Sequence, residues 1–495
     1  MKTTYKCVIT VNSPLHIGCN EVYQPMGFVL DEEQKTLIAF DPVSFISRLS
    51  QADKDTLSSL CRLGDLPSIL RIYKFFQGRK AQGRRVGVAQ AFIDHYRSTL
   101  KIPDNKIQQE LNKFVVERTA FRTADNRPFI PGSSIKGALR TGYLNHVCGG
   151  KNMRERDAEP LEKKLLNYQS IEQDPFGHVK VSDFQPAGDV KTSIVYAVNK
   201  KKKVSDKEAH GPYQILEVIE PGSAFIGEIT VERPAPTSPV RQPVQLKTLL
   251  SGTHDFYAGE HKRESRELRA VGIPAQDFIQ PDTLLMRMGR HCGAESVTIA
   301  GNRNIMIKKG PKKDQKDYLD HATTLWLASP ARKDENVKGL HPFGWTGISR
   351  LDADLETRLA ERENAYTVLK VQEEKKQLAE AQLQVQKATE AQKALEEKAA
   401  REAAEAAEKE KKQKELEAMS PQERELAQIF DGNPVNENKV VELYNRLDEM
   451  EDDFKLKCAK KIKAFYISEN KWSVNKTKKK QFAKIQHLKT ILGES

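Results

Sequence analysis

The chain lacks most of the signals that mark a metal-bound, disulfide-stapled or membrane protein. Its six cysteines (Cys7, Cys19, Cys61, Cys148, Cys292 and Cys458) are scattered, with no C-x-x-C pair and no Cys/His cluster at zinc-ligand spacing. Neither a structural metal nor a disulfide framework is therefore expected, and no motif calls for a cofactor. No apolar run comes near the roughly 20 residues that a bilayer-spanning helix needs. The opening residues alternate as a strand instead of pairing a charged start with an apolar block. The expected setting is a reducing cytoplasm, with no membrane partner.

What is present is length and positive charge. At 495 residues the chain exceeds the size at which a single core stops growing, so two to four domains are expected. It carries 80 Lys and Arg against 68 Asp and Glu, a net charge of +12. That balance favours a polyanionic partner over an acidic small substrate. Residues 351–420 hold 17 acidic and 13 basic side chains, so the positive charge lies elsewhere in the chain.

Periodicity divides the chain into four parts. Residues 5–11 alternate as a half-buried strand that ends at Ser13-Pro14, and a hairpin is expected around the polar turn Asp31–Lys35. Asp41-Pro42 reads as an N-cap with proline at the first helical position, opening a mainly helical stretch to about residue 115. This stretch is interrupted by the basic run Gly78–Arg85. A strand-rich section follows from about 178 to 310, with Lys200, Lys201 and Lys202 between its first strands. The expectation is an α+β protein of tandem ferredoxin-like domains. The first spans 1–195 with a helical insertion at about 43–118, and the second spans 196–350. Between Gly347 and Pro421 there is neither glycine nor proline, which predicts a long charged helix or helical hairpin over 351–419 with a sparse apolar seam at Leu351, Leu355, Leu359, Tyr366 and Leu369. Ser420-Pro421-Gln422-Glu423 combines a capping box with proline at N1 and opens a small helical module, 420–495. The end of this module is basic, with Lys471, Lys476, Lys478, Lys479 and Lys480 around Trp472.

One segment stands out chemically, Ile130-Pro131-Gly132-Ser133-Ser134-Ile135-Lys136-Gly137-Ala138-Leu139-Arg140. Ser133 or Ser134 is expected to cap a helix that carries Lys136 and Arg140 four residues apart on one face. A helix N-terminus with two hydroxyls and two cations suits a nucleic-acid phosphate. The same residues also read as an ordinary capped helix with solvated cations.

This string resembles the helix-opening motif of RAMP proteins in type III CRISPR complexes, and Ser13-Pro14-Leu15-His16-Ile17-Gly18 resembles the end of their first strand. Asp174–Gly177 with Val181–Asp183, and Glu217–Ser223, extend the resemblance. Leu285-Met286-Arg287-Met288-Gly289-Arg290-His291-Cys292-Gly293 is similar to the glycine-rich loop of the subunit that caps the crRNA 3′ side in type III-A complexes, and His341–Thr346 is similar to its Pro-x-Gly-Trp element. The resemblance implies RRM-like RAMP domains in a non-catalytic subunit that holds crRNA by backbone and shape contacts while base pairing reads the target. Its implied partners are crRNA, other RAMP subunits and host trimming nucleases. The RNA-contacting residues it implies are His16, Gly18, Gly132, Ser133, Ser134, Lys136, Arg140, Lys200, Lys201, Lys202, Arg287, Gly289 and Arg290.

RAMP relatives that process crRNA use a histidine as acid or base, and His16 sits in the corresponding loop. It has no second histidine or carboxylate at a readable spacing, and residues 18–26 offer Glu21 but no aspartate. No catalytic residue is therefore expected. A processing endoribonuclease and a helical protein-binding scaffold are the alternative readings.

Overall fold

The computed structural model describes residues 2–153, 155, 157–205, 209, 211–309, 315–333, 337–432, 434–473 and 478–494, so Lys476 lies outside the described residues. The chain divides into two compact units, Met1–Gln377 and Leu378–Ser495.

The first unit is mixed α+β, as expected, and contains two curled sheets. One sheet runs in the order Leu284–Arg287, Trp345–Arg350, Lys2–Val11, Ala224–Glu232, Val179–Val181, with antiparallel neighbours throughout. Four of these five strands, Lys2–Val11, Val179–Val181, Ala224–Glu232 and Leu284–Arg287, taken with the helices Gly132–Cys148 and Leu246–Ala270, follow the β-α-β-β-α-β path of a ferredoxin-like fold. The two helices pack on each other and cover a core that contains Ile9, Ile135, Leu139, Phe225, Tyr257 and Trp345.

The second sheet is built from what lies between. Its order is Gly18–Val22, Val116–Thr119, Gln214–Ile219, Thr192–Lys201, Arg84–Val88, Thr36–Ala39, Phe28–Asp31, with Thr324–Ser329 also on Thr192–Lys201. Both sheets thus take strands from either side of residue 195, and a boundary at 195/196 does not separate them. The reason is physical: alternation marks a strand but not its partner, and Lys2–Val11 finds its partners at Ala224–Glu232 and Trp345–Arg350.

The insertion is helical at Pro42–Ser47, Gln51–Leu63, Leu66–Phe76, Gln90–Thr99 and Ile107–Leu111. The basic interruption inside it is a strand, Arg84–Val88, which enters the second sheet parallel to Thr192–Lys201. Asp41 caps the first of these helices, its Oδ2 accepting from Ser44 N–H at 2.8 Å.

A helix runs over Ala353–Ala418. Its start is held by Leu355 and Leu359 packed with Val8, Ala187 and Ala224, and by Arg127 donating to both carboxylate oxygens of Glu363 at 2.5 and 2.9 Å. Leu369, expected in the same seam, is exposed, and from 371 to 420 every described side chain is exposed. The second unit contains the helices Pro421–Phe430, Glu437–Asn445, Asp452–Ser468 and Lys479–Leu492 around Val440, Leu447, Cys458, Ile462 and Leu488. The capping box at Ser420 and Glu423 is formed in both directions. Among the described residues, no helix is long and apolar enough to cross a membrane.

Candidate nucleic-acid interface

Three loops that are far apart in sequence are tied together by main-chain hydrogen bonds. The loop after the first strand exchanges two bonds between Leu15 and Ile219, at 3.1 and 2.8 Å. Gly344 N–H donates to Pro14 O, Met288 N–H to Gly344 O, and Arg290 N–H to His16 O, at 3.0, 3.0 and 2.9 Å. Trp345 N–H donates to Ser13 Oγ at 2.9 Å. Glycine is required at 289, where φ is +90° and a Cβ would stand 2.5 Å from His16 O. The Pro-Leu-His-Ile-Gly loop, the glycine-rich loop and the Pro-x-Gly-Trp element therefore form one structure.

The helix Gly132–Cys148 presents its first turns to this structure. Gly18, Ser133, Ser134, Gly137, Gly289 and Arg290 line a depression of about 450 Å³. Ser133, Gly137, Gly289 and Arg290 are exposed there. A notional Cβ on Gly137 meets nothing within 4 Å, so the floor is open at that point. Two hydroxyls and one exposed arginine make a surface of the kind that contacts phosphate and sugar.

The capping expectation needs correcting. The N-cap is Pro131, with no side-chain cap bond from Ser133 or Ser134. The cap comes from a different segment, with Asp183 Oδ1 accepting from Gly132 N–H at 2.8 Å.

The structure separates the candidate cations into two groups. Arg140 is paired with Glu162 at 2.7 Å and Asp174 at 3.0 Å and lies over the Phe176 ring, away from the depression. Lys136 is half-buried on that same side: burial lowers its pKa first, and the Lys180 charge lowers it further. Arg287 touches the depression but is buried, paired with Glu264 at 2.8 Å and donating to Phe343 O. Lys202 is buried between Glu295 and Glu267, Lys201 donates to Ser205 Oγ, and Lys200 lies in the strand opposite Leu325. Of these basic residues, Arg290 is the one on the depression with an exposed head. Its partner is Glu117, itself partly exposed, and an exposed pair of this kind is worth little and yields readily to another anion.

His16 is fully buried beneath the loops. Its Nδ1 lies 2.7 Å from Glu217 O, and because a carbonyl only accepts, the proton sits on Nδ1 and Nε2 carries the lone pair. Nε2 has no hydrogen-bond partner. Burial is the largest influence on the ring and lowers its pKa, keeping it neutral. Below it, the fully buried Glu217 carboxylate accepts from Tyr23 OH at 3.0 Å and is ion-paired with Arg84. Arg84 also donates to Tyr23 OH and Thr192 Oγ1, at 2.5 and 2.9 Å.

Tyr23, Arg84 and Glu117 were not singled out from the sequence. Arg84 lies in the basic run read as a break in the helices, and strand alternation at Arg84–Val88 was the one signal that could have placed it. Among the described residues, no group of three or more His, Cys, Asp or Glu side chains is placed to hold a metal ion.

The family model of the RAMP superfamily matches residues 8–270. No curated protein matches the chain. Among solved structures, a chain of a cryo-EM Csm–crRNA–target RNA ternary complex of a type III-A CRISPR–Cas system is similar at 17% identity and a TM-score of 0.44, over 70% of this chain and 100% of that one. A crystal structure of T. onnurineus Csm5 is similar at 15% identity and a TM-score of 0.38, over 68% of this chain and 99% of that one.

Proposed function

The chain belongs to the RAMP superfamily, and from that premise we propose that it is a non-catalytic crRNA-binding subunit of a type III-A CRISPR effector complex. In this reading it caps the filament at the crRNA 3′ side, next to other RAMP subunits. It assists crRNA maturation by admitting cytoplasmic nucleases that trim the guide, and so contributes to antiviral defence.

The observation that carries the reading is the convergence of the motifs. Segments at 13–18, 132–141 and 287–290 meet around a single open depression, lined by groups that suit a sugar-phosphate backbone. His16 belongs to the support of that surface: it is buried, neutral and bonded to the main chain. A general acid or base has to reach the proton it transfers, and a fully buried ring does not.

Gly137 provides a clean test. A side chain there enters the depression without a clash, and replacing a helical glycine stabilises the helix by up to about 1 kcal/mol. Gly137→Glu is expected to leave thermal stability equal or higher while sharply lowering the amount of short RNA that co-purifies with the complex. Arg290→Glu should weaken RNA binding for all sequences and reduce its salt slope by roughly one phosphate contact. Full RNA retention by both variants would sink the proposal and favour a protein-binding scaffold.

A further inference from the structure

The unit Leu378–Ser495 carries a charge separation that its own packing neutralises only in part. Residues 421–453 hold ten acidic and three basic side chains, whereas 454–495 hold twelve lysines against Glu469 and Glu494. Some lysines join the halves: Lys455 to Asp448 at 2.7 Å, Lys457 to Glu423 at 2.9 Å and Lys471 to Glu437 at 2.7 Å.

Lys460, Lys461, Lys478, Lys479 and Lys480 do not. All five are exposed, and among the described residues none has a carboxylate partner. They lie on the helices Asp452–Ser468 and Lys479–Leu492, which pack on each other, or just before the second of these. The second helix also breaks a local rule. It opens on lysines with no acidic residue in its first turn, at the end where the helix dipole favours negative charge. A fold that keeps five unopposed cations and sets three of them against a dipole carries a self-repulsion that a bound polyanion relieves. Trp472, on the loop between these two helices, is half-buried, with the ammonium of Lys463, itself paired with Glu494, 5.4 Å from its ring centre.

We propose that this helical module is a second nucleic-acid-binding surface, which takes the phosphodiester backbone of single-stranded RNA without sequence preference. It goes beyond the guide-holding role, because it lies in the other compact unit and uses none of the residues around the depression.

The test uses the full chain with a structure-free oligouridine as probe, titrated by fluorescence anisotropy at a series of KCl concentrations. One variant is K460Q/K461Q/K478Q/K479Q/K480Q, and a second replaces the same five lysines by arginine. Circular dichroism melts check that both remain folded. The glutamine variant should bind more weakly at low salt, with the log–log salt slope reduced by on the order of 3, at about 0.7 per phosphate contact for a single strand. The arginine variant should bind like the parent. Gly137→Glu should leave this difference unchanged, so failure of the guide-holding reading and failure of this one are distinguishable. An unchanged affinity and slope in the glutamine variant would overturn the proposal. So would oligouridine binding that persists while low-salt self-association is lost, since the lysines would then serve the acidic half of a second copy.

Discussion

His16 shows how a residue type suggests chemistry that its surroundings redirect. A histidine in the loop after the first strand reads as a potential acid or base, yet here its Nδ1–H is held by the Glu217 carbonyl and burial keeps the ring neutral. Replacing it by alanine should leave any RNA cleavage by the assembled complex at its original rate. Stability should fall, because Glu217 O loses its donor and a cavity opens beneath the loops. General acid–base help is typically worth on the order of 100- to 10,000-fold, so a rate loss of that size at unchanged guide occupancy would make the histidine catalytic. Lys136 and Arg140 carry the complementary lesson. Their four-residue spacing does put them on one side of a helix, but Glu162 and Asp174 occupy that side and hold Arg140. Those acids arrive from a later segment, which helical spacing cannot reveal.

At the scale of elements, the helix Gly132–Cys148 depends on a cap from outside itself. Asp183 follows the strand Val179–Val181, and its Oδ1 accepts from Gly132 N–H in place of the expected serine. Asp183→Ala should therefore lower stability by about 1 kcal/mol, while Ser133→Ala and Ser134→Ala should be close to neutral, as measured by urea unfolding. A serine variant as costly as Asp183→Ala would show that the local cap dominates. The long helix is also a composite. Propensity accounts for its length, but its anchorage comes from Arg127, which grips Glu363 and lies over Tyr366.

For the whole molecule, the first unit is joined across its sequence by buried ion pairs. Lys202, Arg263, Glu267 and Glu295 form one network, extended through Glu260 to Arg303. Burial pushes the Glu295 carboxyl upward, but the hydrogen bond from Lys202 and the Arg263 charge outweigh it and bring its pKa to about 2, below the ordinary 4.5. A depressed carboxylate stabilises the fold fully above about 4.5, and that contribution is lost as pH falls towards 2. Lys202→Ala should thus be clearly less stable than the parent near neutral pH, with the difference shrinking between pH 4.5 and 2 in thermal melts. A difference that stays constant over that range would mean that the pair does not set the stability.

The amino-acid sequence by itself determined the local elements: the alternation of Lys2–Val11, the Asp41 cap, the capping box at Ser420 and Glu423, and the long helix free of glycine and proline. These depend on neighbours within a few residues, where propensity and capping act. The motif strings also placed Gly18, Ser133, Ser134, Gly289 and Arg290 among the candidates, and these do line one surface. Only the tertiary structure decided that the sheets interleave, that Arg140, Arg287 and Lys202 are committed to acids, and that Arg84 and Tyr23 support the buried Glu217 carboxylate. A strand's partner and a charge's counter-ion are set by which distant segments the core brings together. That information lies in the packing of the whole chain and in no single window of it.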